Sequence, residues 1–153
     1  MAKIKIGSTI PLFTLNDQNG NTFNINSVIG KKNLVLFFYP KDDSPGCTKE
    51  ACYFRDQFEA FTDANAVVIG ISGQSVKSHK QFAEKFNLNY TLLSDKGNEL
   101  RKQFGISTDF FGLLPGRVTY VIDKSGKVVY TFNSQIKVLE HVDEALSVLE
   151  KLN

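Results

Sequence analysis

Continuously apolar runs alternate with stretches of helical period along most of the chain. Leu34-Val35-Leu36-Phe37-Phe38-Tyr39 and Ala66-Val67-Val68-Ile69-Gly70-Ile71-Ser72 show no polar alternation, as central strands covered on both faces require. Pro40 ends the first run, because proline cannot donate to a sheet ladder. Between the two runs, Ser44 suits a helix N-cap and Pro45 the first helical position. Cys47, Ala51, Phe54, Phe58 and Phe61 then recur at steps of four and three, one face of a helix. Ser75 to Phe86 reads as an amphipathic helix with Val76, Phe82 and Phe86 inward, Thr91-Leu92-Leu93 as a short strand, and Glu99 to Phe104 as helical turns. Val118 to Asp123 and Lys127 to Phe132 form a hairpin around Lys124-Ser125-Gly126. A last helix runs from about Val138 to Leu152, with Leu139, Val142, Ala145, Val148 and Leu149 on one side. Near the start, Leu12–Leu15 and Thr22–Ile25 flank the turn cluster Asp17–Asn21 and suggest a small hairpin.

No repeat, linker or low-complexity tract divides this order, so residues 1–153 are expected to form a single domain. Strand–helix–strand crossovers closed by an antiparallel pair and a helix describe an α/β protein. The arrangement is that of a thioredoxin-like fold with an N-terminal β-hairpin extension and a central mixed sheet flanked by helices. Fold alone does not give function.

Composition narrows the function by exclusion. A formal net charge of +2 is too small to argue for nucleic acid or an anionic membrane, and no apolar run approaches the roughly 20 residues of a spanning helix. Met-Ala-Lys-Ile-Lys-Ile at the start has neither the apolar core of a signal peptide nor the Arg/Ser bias of a transit peptide, so a cytoplasmic protein is expected. In a reducing compartment two lone cysteines make a poor structural staple, which moves weight toward redox chemistry. His79 and His141 stand far from Cys47 and Cys52 in sequence, form no recognisable zinc set with them, and read as surface helical residues. Asp42-Asp43 reads as a solvated turn, and no phosphate-binding glycine loop is present. No metal or cofactor is implied. Phe110-Phe111-Gly112-Leu113-Leu114 is an apolar stretch that suits an interface, a substrate mouth or ordinary core equally.

The chemistry concentrates in Tyr39 to Cys52. Cys47 falls in the first helical turn, where free N–H groups and the helix dipole favour an anion, and the thiolate is the nucleophilic form of the side chain. Ser44 offers a hydroxyl three residues before the sulfur. On position alone, a small buried hydrophobe explains Cys47 as well as a reactive thiolate does. Cys52 follows five residues later, which on an intact helix means a turn of about 500° and a rise of about 7.5 Å. That exceeds the roughly 7 Å between Cα atoms that a disulfide spans. A Cys47–Cys52 bond therefore requires the helix start to unwind, which suits a transient disulfide better than a static one. A merely buried Cys52 is the other reading.

Tyr39-Pro40-Lys41-Asp42-Asp43-Ser44-Pro45-Gly46-Cys47-Thr48-Lys49-Glu50-Ala51-Cys52 resembles the active-site segment of peroxiredoxins, Pro-x-x-x-Thr/Ser-x-x-Cys, most closely that of the peroxiredoxin Q or bacterioferritin comigratory protein type. Gly7–Leu15 and Arg117–Asp123 agree with the same family. The resemblance implies that Cys47 is the peroxidatic cysteine, Cys52 the resolving one, Ser44 the hydroxyl partner, Arg117 the guanidinium that meets the sulfur, and Pro40 its shield. Glu50 would orient an arginine or lie on a solvated face. Serine in place of the commoner threonine keeps the hydroxyl and loses the methyl that fixes its rotamer. The implied activity is reduction of hydrogen peroxide and organic hydroperoxides through a sulfenic acid, resolved by an intramolecular disulfide and recycled by thioredoxin or a similar dithiol, in a monomer or weak dimer. The alternative is a non-catalytic thiol redox sensor or binding module on the same fold.

Overall fold

The computed structural model describes residues 3–109, 112 and 114–152. The central run of the sequence becomes β3 (Asn33–Phe38), buried along its whole length, and lies parallel to β4 (Ala66–Ser72). Outward from these lie β5 (Thr91–Ser94) parallel to β4 and β8 (Val118–Ile122) antiparallel to β3, with β9 (Val128–Asn133) beyond β8. The N-terminal hairpin β1 (Thr14–Asp17) and β2 (Thr22–Asn24) adds to the other edge through β5, giving the order β2-β1-β5-β4-β3-β8-β9. A separate short pair joins β6 (Thr108–Asp109) to β7 (Leu114–Pro115). Of the apolar stretch from Phe110 to Leu114, Phe110, Phe111 and Leu113 lie outside the described residues.

Period-two alternation on β3 divides its apolar residues between two cores. Val35 and Phe37 pack with α1 (Pro45–Asp56), α2 (Phe58–Asp63), α3 (Val76–Phe86) and α5 (Val138–Leu152). Leu34, Leu36 and Phe38 pack on the other face with α4 (Glu99–Phe104) and the N-terminal segment. The first core is an aromatic cluster: Phe37 stacks on Phe54 at 4.5 Å between centroids and on Tyr39 at 5.5 Å. Gly70 lets β4 pass beneath it, since a Cβ there would lie 2.7 Å from Phe37 Cζ.

The helices follow the predicted boundaries with instructive exceptions. The stripe beginning at Cys47 is not one helix: Gln57 leaves helical geometry at φ −96°, ψ 12°, and the chain restarts as α2. The break turns Phe58 outward, 39% exposed, while Phe61 stays in the core. On α5 Leu139 is exposed and His141 takes the inward position. On α3 the buried residues are His79, Phe82 and Ala83, with Val76 and Phe86 only half-buried. Both histidines are fully buried, contrary to the expectation of surface residues, because each finds polar partners that a helical pattern does not reveal.

Candidate active site

Strand β3 ends at Phe38, Tyr39 follows it inside the aromatic core, and the chain crosses residues 40–44 to enter α1. Asp43 turns the chain there with φ 62°, a left-handed conformation that a short polar residue tolerates. Asp42 is buried rather than solvated, correcting the expectation for that half of the pair. Its carboxylate accepts from Tyr39 Oη at 2.6 Å, Ser78 Oγ at 2.7 Å and His79 Nδ1 at 2.7 Å. His79 Nε2 donates to Leu93 O at 2.9 Å. Both ring nitrogens thus face oxygen atoms, and the loop is bolted to α3 and β5 by this buried pairing. Asp43 is exposed and meets Lys85 at 2.8 Å. Breaking a buried pair from one side leaves a charge without compensation. His79→Leu is therefore expected to cost about 3–5 kcal/mol of stability, against about 0–1 kcal/mol for Lys85→Ala, as measured by denaturant unfolding of the two variants.

Cys47 sits at the third helical position of α1 and is 1% exposed. Ser44 heads the helix with extended backbone, and its carbonyl accepts from Thr48 N at 2.8 Å. Its hydroxyl makes no cap bond and donates instead to Lys41 O at 3.1 Å, so in this structure it does not reach the sulfur. The sulfur's partner is Arg117, whose Nη2 donates to Cys47 Sγ at 3.2 Å while Nη1 donates to Glu50 Oε1 at 2.7 Å. The guanidinium fork thereby joins two residues one turn apart on α1, a geometry that lysine does not reproduce. Gly46 leaves room for it: a Cβ there would stand 3.2 Å from Arg117 Nη2.

Burial acts on every charge in this cluster. Glu50 is fully buried, not solvated, and burial pushes its carboxyl up to about 7 against the opposing pull of Arg117. Burial works against the charge on Arg117, but its contacts with Glu50 and Cys47 outweigh that cost and leave its pKa above the usual value. Behind Glu50 lies His141, which burial, with Arg117 nearby, pushes down to about 4 against the help of its bond to Ser134. A second cation, Arg101, was not found from the sequence. It is 5% exposed, donates to Gly116 O and to Tyr39 O at 3.1 Å, and burial lowers it to about 10. It ties the end of β3 to the residue before Arg117. Only the burial of a 3.6-period position on α4 could have signalled it, and that period is short.

Cys52 lies on the same unbroken α1 and is half-buried, its thiol pushed up by burial, with Arg55 opposing and Asp56 adding. Both cysteines are free. Pro40 is half-buried at the mouth of the loop. The structure thus brings together Cys47, Arg117 and Glu50, and leaves the Ser44 hydroxyl on Lys41 O and Cys52 farther along α1.

Comparison with known proteins gives this arrangement a family. A model of the AhpC/TSA family matches residues 6–131. A chloroplastic peroxiredoxin Q from Sedum lineare is 52% identical over 99% of this chain and 81% of its own length. The crystal structure of peroxidoxin BcpB from Mycobacterium tuberculosis superposes with a TM-score of 0.91 at 38% identity, covering 98% of this chain and 99% of its own. A Xanthomonas campestris bacterioferritin comigratory protein, described for its alkyl peroxide reduction activity, gives 0.84 at 30% identity over 95% of this chain and 99% of its own. The plant relatives, 49% to 52% identical, are named chloroplastic, which overturns the expectation of a cytoplasmic protein. Compartment is addressed by signals outside a folded core, so the patterning that foretold the fold carried no information about it. The chain belongs to the AhpC/TSA family, within its peroxiredoxin Q type, and is a thiol-dependent peroxidase.

Proposed function

We propose that Cys47 is the peroxidatic cysteine, Arg117 the donor that holds both sulfur and peroxide, Pro40 the shield of the sulfur, Ser44 the hydroxyl partner and Cys52 the resolving cysteine. The observation that carries this reading is the 3.2 Å bond from Arg117 to a buried Cys47 Sγ in the first turn of a helix. In the first step the Cys47 thiolate attacks the terminal oxygen of a hydroperoxide. The S–O bond forms as the O–O bond breaks, and the departing alkoxide or hydroxide takes a proton to leave as alcohol or water. Arg117 and the free N–H groups of α1 face the charge that grows on that oxygen, where preorganised donors are most effective. The Ser44 hydroxyl joins them by rotating away from Lys41 O.

Cys47 is then a sulfenic acid. Cys52 thiolate attacks its sulfur, hydroxide leaves as water, and a disulfide forms. With α1 continuous from Pro45 to Asp56, this requires the helix start to unwind. A thioredoxin-type dithiol restores both thiols by exchange. Hydroperoxides, alkyl hydroperoxides included, are the substrate class, in keeping with the activity described for the Xanthomonas relative. A monomer or weak dimer completes the proposal.

Cys52→Ser is expected to form one sulfenic acid per chain with peroxide, trapped by a dimedone-type reagent, while turnover with thioredoxin and its reductase falls at least tenfold. In the oxidised wild type, amides 45–52 should exchange with deuterium faster than in the reduced form. Wild-type turnover by Cys52→Ser would remove the resolving role.

A further inference from the structure

Around the Arg117 guanidinium stand two groups that can each be an anion, Cys47 Sγ at 3.2 Å and Glu50 Oε1 at 2.7 Å. Glu50 is fully buried and Cys47 nearly so. One buried cation compensates one buried anion, and ionising both leaves a net negative charge at high desolvation cost. Whatever keeps Glu50 protonatable therefore leaves the charge of Arg117 to the thiolate.

The second oxygen of Glu50 decides the balance. Oε2 has no hydrogen-bond partner among the described residues, and the group facing it is His141 Nδ1, 3.6 Å away. His141 is anchored at both nitrogens. Nε2 donates to Ser134 O at 2.7 Å, which leaves Nδ1 as an acceptor, and the Thr119 hydroxyl fills it at 2.8 Å. The Phe132 ring packs edge-on against the imidazole at 4.8 Å. An imidazole fixed this way presents no N–H to Glu50 Oε2.

We propose that His141 is a positioning residue which, by denying Glu50 Oε2 a donor, keeps Glu50 ready to hold a proton and so reserves Arg117 for ionised Cys47. The directions of titration agree: burial raises Glu50 to about 7 and lowers His141 to about 4. The groups facing this cluster are Cys47 and Glu50 from α1, Arg117 and Thr119 from β8 and its entry, Ser134 and Phe132 from the end of β9, Tyr90 beside Glu50, and Arg101 near Cys47. The proton balance is simple. When the Cys47 S–H bond breaks, the site exchanges protons with solvent until Glu50 carries one, so that thiolate, guanidinium and neutral carboxyl sum to zero.

The inference rests on Cys47 being the reacting thiol. The experiment is the pH profile of Cys47 alkylation by iodoacetamide, in a Cys52→Ser background, for four forms: the parent, His141→Gln, Thr119→Val, and His141→Gln combined with Glu50→Gln. A glutamine amide supplies Oε2 with the donor it lacks, so His141→Gln should move the midpoint up by about one pH unit, about tenfold slower alkylation on the acid side. In the Glu50→Gln background the same change should do nothing. Thr119→Val frees the Nδ1 lone pair to accept the Glu50 proton and should move the midpoint down, a direction that mere damage to the fold does not produce. An upward shift in Thr119→Val, or an equal shift by His141→Gln with and without Glu50, would overturn the proposal. Peroxide turnover by Cys47→Ser, run alongside, reports separately on whether Cys47 is the reacting thiol.

Discussion

Cys47→Ser is expected to abolish peroxide consumption, measured as oxidation of reduced pyridine nucleotide through thioredoxin reductase and thioredoxin. A serine hydroxyl in the first turn of α1 feels the same donors as the thiol, but it does not ionise near neutral pH and does not carry a sulfenic oxidation state. The fold should survive the change. Cys47 is close in volume to serine, and Arg117 Nη2 keeps an oxygen to which it can donate. Thermal unfolding should therefore stay close to the parent while turnover drops to background. A variant that folds and still turns over peroxide would show that the chemistry lies elsewhere in the chain.

What could be read in the sequence divides along physical lines. Elements defined by a long period were legible: β3 and β4 as unbroken apolar runs, and α5 as a helix over Val138–Leu152. So was the placement of Cys47 at a helix start, because Ser44 and Pro45 are strong local signals. The sites that escaped are polar groups made cheap to bury by partners distant in sequence. His79 is inward because Asp42, 37 positions away, and the Leu93 carbonyl satisfy it. His141 is inward because Thr119 and Ser134 do the same. Arg101 is buried against the Tyr39 carbonyl, 62 positions away. Each breaks the rule that ionisable residues face solvent, and each borders the loop or helix that presents Cys47. The Gln57 break escaped for the opposite reason: it is a local backbone event that no residue of the stripe announces. Ser44 shows a third kind of limit. A hydroxyl can be assigned by position, but its rotamer is chosen by the nearest acceptor, here Lys41 O.

Arg117→Met is expected to lower kcat/KM for hydroperoxide by about 10²–10³-fold, the cost of losing one preorganised donor to charge that develops in the transition state. Methionine keeps much of the aliphatic volume and removes the fork. The loss has two parts that different measurements separate. Cys47 Sγ loses its 3.2 Å donor, which slows alkylation by a neutral reagent as well as reaction with peroxide. The peroxide's departing oxygen loses a donor that alkylation never uses, so peroxide reduction should suffer more than alkylation. Stability constrains the interpretation, because Glu50 is left without its cation and is fully buried. The remedy available to it is protonation, and with the opposing pull of Arg117 gone its carboxyl should rise further above 7. A folded-state carboxyl raised above its unfolded value contributes stability at pH below the unfolded value and loses it as pH rises through the folded one. Arg117→Met should therefore unfold more easily relative to the parent at pH 8 than at pH 5, while Arg117→Met with Glu50→Gln should lose that pH dependence. Arg117→Lys keeps a charge but gives one point of contact where two acceptors stand on α1, and belongs between the parent and Arg117→Met in rate. If peroxide reduction and alkylation fall by the same factor in Arg117→Met, the arginine acts on the thiolate alone and its contact with the peroxide is lost from the mechanism.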